Sequence, residues 1–204
     1  VTRHWLARTA ATLLPLGCAG GRSVSPAAPN VAPAPLPSLD AMLRADLASD
    51  TAFAWSAARR LVWSDFQGAP PAGGAEGART AYTLYYAWKC RGQAFKFRVI
   101  AGFRPRQAWV KAAVLNDAAQ SRSVLGHEQT HFDLVEVNAR RMRRDFAELS
   151  GACGKTDGEL TAIAQRLVRE EKAEQRRYDD ETDHGLLPEQ QAAWTADVSR
   201  RLRL

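Results

Sequence analysis

Only three cysteines and four histidines occur among the 204 residues, so a site built from them can be assembled in few ways. No internal repeat is present, and no second hydrophobic span follows the one near the N-terminus, which leaves no later segment to cross a bilayer. A concentrated basic surface is also missing. Lys+Arg exceed Asp+Glu by 28 to 22, a formal charge of +6, but the basic residues are spread along the chain. The densest run, "ARRMRR" at 139–144, lies on a helical pattern with acidic neighbours and reads as a solvated helix face. No basic motif interleaved with aromatics accompanies it, so nucleic acid is not an expected partner. Nothing in the sequence signals an oligomeric state.

Hydrophobic residues make up 46% and charged residues 25%, a globular composition with enough apolar side chains for a core. Residues 1–17 read as a signal peptide: Arg3 and Arg8 supply positive charge, and the apolar piece "TAATLLPLG" is too short to span a membrane. "LPLGC" ends at Cys18 and resembles a bacterial lipoprotein signal, with Pro15 where a leucine is usual. Residues 18–38, Pro/Ala-rich and poor in large apolar side chains, read as an extended tether. The expected location is therefore extracytoplasmic, periplasmic or membrane-anchored, with a lipid on Cys18 as the membrane contact. In such an oxidising compartment the other two cysteines, Cys90 and Cys153, form the expected disulfide.

The folded part should cover 39–204. Aromatic, partly alternating stretches at 80–90 and 93–103, joined at Arg91-Gly92, predict a hairpin, with further extended pieces in 53–66 and 107–115 and a loop over 68–78. Leu125, Glu128, Phe132, Val135, Ala139, Met142, Phe146 and Leu149 then step by three and four along one helical stripe, in which Glu128 is the only charge. Gly151 and Gly154 break that helix. Thr156 and Glu159 have the spacing of a capping box for a second helix, whose apolar stripe fades after Glu170. Pro188 suits the first turn of a third, carrying Trp194, Val198 and Leu202. The expected fold is α+β: a small antiparallel sheet, a helical hairpin bearing a metal site, and a C-terminal helix.

The stretch His127-Glu128-Gln129-Thr130-His131 has the pattern H-E-x-x-H. Histidines four apart share one helix face and can put two nitrogens on one Zn2+, while the glutamate between them stands ready to take a proton from water. The pattern by itself arises by chance in roughly one 200-residue chain in a few hundred, at ordinary residue usage. The remaining histidines add weight. His4 lies in the leader, so His184 is the only other imidazole of the folded part. A return helix starting near Asp157 retraces the ~27 Å from His131 to the first helix end by about residue 175, at 1.5 Å per residue. That brings "YDDETDHG" (178–185) beside the motif. The expected ligands are His127, His131 and His184, with Glu128 as general base. Glu181, Asp180 and Glu174 are rivals for the third place. Asp179 and Glu181 are expected to orient the histidines, and Tyr178 to donate to an oxyanion. Asp133 points away from the ligand face. Zinc suits three histidines with one open position, although the ligand types also admit Ni2+ or Mn2+.

The pieces "LVWSDFQG" (61–68), "GHEQTHFDLVEVNAR" (126–140) and "YDDETDHG" followed by "QAAW" (191–194) resemble a bacterial family of predicted secreted zinc-dependent proteases, catalogued as a domain of unknown function. The resemblance spans about residues 53–200. It implies a metallopeptidase-like domain with His127, Glu128 and His131 in the motif roles, His184 as a further ligand, and a peptide or protein substrate at the cell envelope. Two other readings stay open: a non-catalytic zinc-binding envelope lipoprotein, and an amidase acting on cell-wall peptides with the same metal chemistry.

Overall fold

The computed structural model describes residues 37–204. The leader, Cys18 and all but the last two residues of the tether lie outside the described residues. The first described helix, α1 (Leu39–Ser49), starts where Ser38 accepts from the Ala41 amide at 3.1 Å, a serine N-cap. No helix among the described residues is long and apolar enough to cross a membrane.

The hairpin forms, with its turn at Gly92-Gln93, one residue later than expected. β3 (Tyr82–Arg91) and β4 (Ala94–Phe103) pair antiparallel from Tyr82 opposite Phe103 to Arg91 opposite Ala94. Gly92, at φ +58°, takes the left-handed conformation that the two-residue connection requires. β1 (Phe53–Ala54) adds to the other edge of β4. A separate two-stranded antiparallel pair joins β2 (Ala78–Arg79) to β5 (Trp109–Val110). The extended pieces expected in 53–66 and 107–115 shrink to two residues each. Trp63–Asp65 is a single 3-10 turn, and Ala112–Leu115 forms a short helix, α2.

Alternation in β4 turns Phe97, Val99, Ala101 and Phe103 inward. Against them lies α3 (Ala118–Ala147), capped by Asp117, burying Phe132, Val135, Ala139, Met142 and Phe146. Phe146 stacks on Phe97 with ring centroids 4.0 Å apart. α3 is buried on its other side too, where Leu134 and Val137 meet Tyr178 and Val198. That second cover comes from α4 (Asp157–Thr182) and α5 (Pro188–Arg201). Because α3 is covered on both sides, its polar residues are drawn inside and must find partners there.

Cys90, near the end of β3, and Cys153, in the 3-10 turn Ala152–Gly154, form a disulfide pair with Cα atoms 5.7 Å apart. It ties the hairpin to the α3–α4 connection. The capping box forms as read: Glu159 accepts from the Thr156 amide and Thr156 accepts from the Glu159 amide. One difference matters for the site. α4 does not end where its apolar stripe fades. It runs on to Thr182 because its later inward positions, Glu171, Gln175, Tyr178 and Thr182, bury polar groups against α3 and α5 instead of solvating them.

Candidate metal centre

His127 and His131 sit one turn apart on α3 with their Nε2 atoms 3.0 Å from each other. Asp179, on the last turn of α4, places Oδ1 3.2 Å from His127 Nε2 and 2.8 Å from His131 Nε2. These three side chains can hold a metal ion. Donors held tetrahedrally at about 2.0–2.1 Å from one ion stand about 3.3–3.4 Å apart. The observed triangle is only slightly tighter. Two imidazoles and one carboxylate are also a donor set that divalent transition metals accept, and three protein ligands leave a coordination position open.

Each histidine is held from behind. His131 Nδ1 donates to Gln175 Oε1 at 2.6 Å, and His127 Nδ1 donates to Gln191 Oε1 at 3.0 Å. The Tyr178 ring stacks on that of His127 at 4.7 Å, and its hydroxyl donates to Gln191 Oε1 at 2.7 Å. Gly185, at φ +83°, presses its backbone against the same imidazole: a Cβ there would stand 3.0 Å from His127 Cγ and Nδ1. Burial opposes charge on His131, but the hydrogen bond to Asp179 and the charges of Glu128 and Asp179 outweigh it and raise its pKa. Burial likewise works against the Asp179 carboxylate. The hydrogen bonds from His127 and His131 prevail and hold its pKa well below the usual range. The group therefore attracts a positive charge, as proton or as metal.

The residues between the two histidines are all engaged. Glu128 is 3% exposed, and its Oε2 accepts from the Thr80 amide just past β2 at 2.6 Å. Its Oε1 makes no hydrogen bond to the described residues. Gln129 accepts from the Leu61 amide and donates to Asp133, which also accepts from Trp55 Nε1 and Arg60. Thr130 bonds Gly126 O and Thr195.

The structure arranges the expected site residues differently in three respects. Asp179, read as an orienting residue, belongs to the close group itself. His184 stands at its margin, with Nδ1 3.8 Å from Asp179 Oδ1 and a side chain 60% exposed. Its place follows from the length of α4. The helix carries Asp179 inward on its last turn, and His184 falls beyond it in a left-handed turn with Asp183 and Gly185. Tyr178, expected to meet an oxyanion, is wholly buried with its hydroxyl engaged, so it supports His127 and Gln191. Among the rivals, Glu181 accepts from Trp194 Nε1 and Glu174 pairs with Arg201 and Asn138, both apart from the histidines. Asp133, read as turned away from the ligand face, is 6% exposed and anchors the stretch after β1 through Trp55 and Arg60. Gln175, Gln191 and Thr80 were not singled out in the sequence. Gln175 had a legible signal, since it lies four residues before Asp179 on the same helical face.

Fold and site together define an α+β domain in which two histidines of the central helix and one carboxylate of α4 form a group that can hold a metal ion. The chain belongs to the family described as bacterial protein of unknown function (DUF922), whose profile matches residues 67–185 and so takes in His127, His131, Asp179 and His184. No curated protein and no solved structure matches it.

Proposed function

We propose that the protein is a zinc-dependent peptide hydrolase of the bacterial cell envelope. The observation that carries this reading is the convergence of His127 Nε2, His131 Nε2 and Asp179 Oδ1 within 3.2 Å of one another, with Glu128 next along the helix. Zinc held by these residues supplies a Lewis acid for a peptide carbonyl and lowers the pKa of water. Glu128 is the general base: the Thr80 amide holds Oε2, and Oε1 is left to take a proton. Asp179 adds negative charge to the ligand set, and Gln175 and Gln191 aim the imidazoles. The envelope assignment rests on the leader and lipoprotein-like signal, and the Cys90–Cys153 pair suits an oxidising compartment.

A second reading, zinc bound without catalysis, is favoured by the enclosure of the histidine side chains, 6% and 12% exposed, and by His184 at the margin as a fourth donor. Elemental analysis of the purified protein beside Glu128→Gln separates the two. The expected result is about one zinc per chain in both, with hydrolysis of a peptide library, cell-wall peptides included, present only in the parent. A parent without metal overturns the site. Metal in both proteins with hydrolysis in neither favours the structural reading, and cleavage confined to cell-wall peptides makes the enzyme an amidase.

A further inference from the structure

Glu171 is an anomaly in the interior. It is 1% exposed, forms no ion pair among the described residues, and its Oε2 is enclosed without a hydrogen-bond partner. Burying a carboxyl group is costly and raises its pKa, so the contacts it keeps need a reason. The Tyr82 hydroxyl lies near it, and Gln175 Nε2 donates to Glu171 Oε1 at 2.9 Å and to the His131 carbonyl at 3.0 Å. The His131 carbonyl can only accept, and Glu171 Oε1 accepts from the same amide whether the carboxyl is ionised or carries a proton on Oε2. A Gln175 amide turned the other way would aim its oxygen at a carboxylate and a carbonyl, losing two hydrogen bonds and gaining two repulsions. The amide is therefore fixed with Oε1 toward His131 Nδ1, 2.6 Å away. An oxygen that only accepts requires a proton on Nδ1, which leaves Nε2 as the nitrogen available to a metal.

We infer that Gln175 is a positioning residue that holds His131 in the Nδ1–H tautomer, and that buried Glu171 sets which way the Gln175 amide lies. The inference rests on the metal-centre reading and extends it to two residues that touch no metal. Without metal, Asp179 Oδ1 holds a second proton on His131 Nε2, 2.8 Å away; zinc takes the place of that proton while Gln175 keeps the one on Nδ1. Gln191 is the counterpart behind His127, supplied by α5 from beyond the residues the family profile matches.

The test reads the ring with zinc bound. Long-range proton–nitrogen correlation spectra of zinc-loaded, 15N-labelled protein should show His131 protonated on Nδ1 and bound through Nε2. Gln175→Leu should speed exchange of that Nδ1 proton with water and weaken zinc binding about 10–100-fold, the usual cost of removing a partner behind a metal-bound histidine. Exchanging the two groups, Glu171→Gln with Gln175→Glu, returns an acceptor to Nδ1 and a donor between the helix positions, although a carboxylate oxygen then meets the His131 carbonyl. It should recover part of the lost affinity, an outcome that general damage to packing would not produce. His131 bound through Nδ1 in the parent overturns the inference without any variant being needed. Zinc affinity and proton exchange unchanged in folded Gln175→Leu do so as well. A parent that binds no zinc defeats the metal reading, and a slowly exchanging His131 Nδ1 proton in that protein, lost in Gln175→Leu, leaves the positioning role standing.

Discussion

Replacing Asp179 and His184 separately decides which of them completes the metal site. Ligand that binds only the folded state stabilises it by RT ln(1 + [L]/Kd), about 2.7 kcal/mol at a hundred times Kd. For a domain of roughly 150–250 residues each kcal/mol moves Tm by about 2–4 °C, so zinc at that level should raise the parent midpoint by about 5–11 °C. The unfolded chain competes weakly, because Cys90 and Cys153 are joined and the histidines are no longer gathered. Asp179 Oδ1 lies within 3.2 Å of both imidazoles, whereas His184 is 60% exposed and 3.8 Å from Asp179. At the same zinc concentration Asp179→Asn should lose nearly all of the rise, and His184→Ala should keep most of it. Each protein is compared with its own metal-free midpoint by scanning calorimetry, since Asp179→Asn also removes contacts present without metal. A shift kept in Asp179→Asn and lost in His184→Ala would refute the geometric assignment and return the third place to His184.

Replacing both Cys90 and Cys153 by alanine should lower stability by about 4 kcal/mol on the chain-entropy account, because the bridge spans a sequence separation of 63. Urea unfolding measures it, and zinc affinity should be unchanged because the bridge lies at the far end of the α3–α4 hairpin. Gly185→Ala forces a left-handed non-glycine residue against the His127 ring. It should cost about 1–3 kcal/mol in urea unfolding and weaken zinc binding in a titration, and a neutral result would contradict the packing. The acid–base behaviour has a definite sign. The raised pKa of His131 gives metal-free stability that is complete below about 6.5 and fades as pH rises through the folded value. The lowered pKa of Asp179 gives stability present above about 3.9 and lost as pH falls through its folded value. Their joint contribution in the metal-free protein is therefore greatest from about pH 4 to 6.5. Zinc, which must displace the imidazole proton, should shift Tm little at pH 5 and strongly at pH 8. Equal zinc shifts at the two values would count against the site.

Local patterns carried much of this molecule. The alternation of Phe97, Val99, Ala101 and Phe103 reads as a strand because side chains in β structure alternate faces, and the three-and-four spacing from Phe132 to Phe146 reads as the helix that covers them. His127 and His131 share a face for the same reason, and the Thr156–Glu159 box marks where α4 begins. The end of α4 was a different matter. Glu171, Gln175, Tyr178 and Asp179 look like the polar exit of a helix, and their inward positions become visible only when α3 and α5 close over them. Hydrophobic periodicity records which side chains avoid water, and it is blind to polar groups buried by pairing with one another. So the two histidines and their shared face were legible in the order of residues. The third member of the group, the tautomer of His131 and the supporting role of Tyr178 came from packing, because each depends on a partner at least 44 residues away.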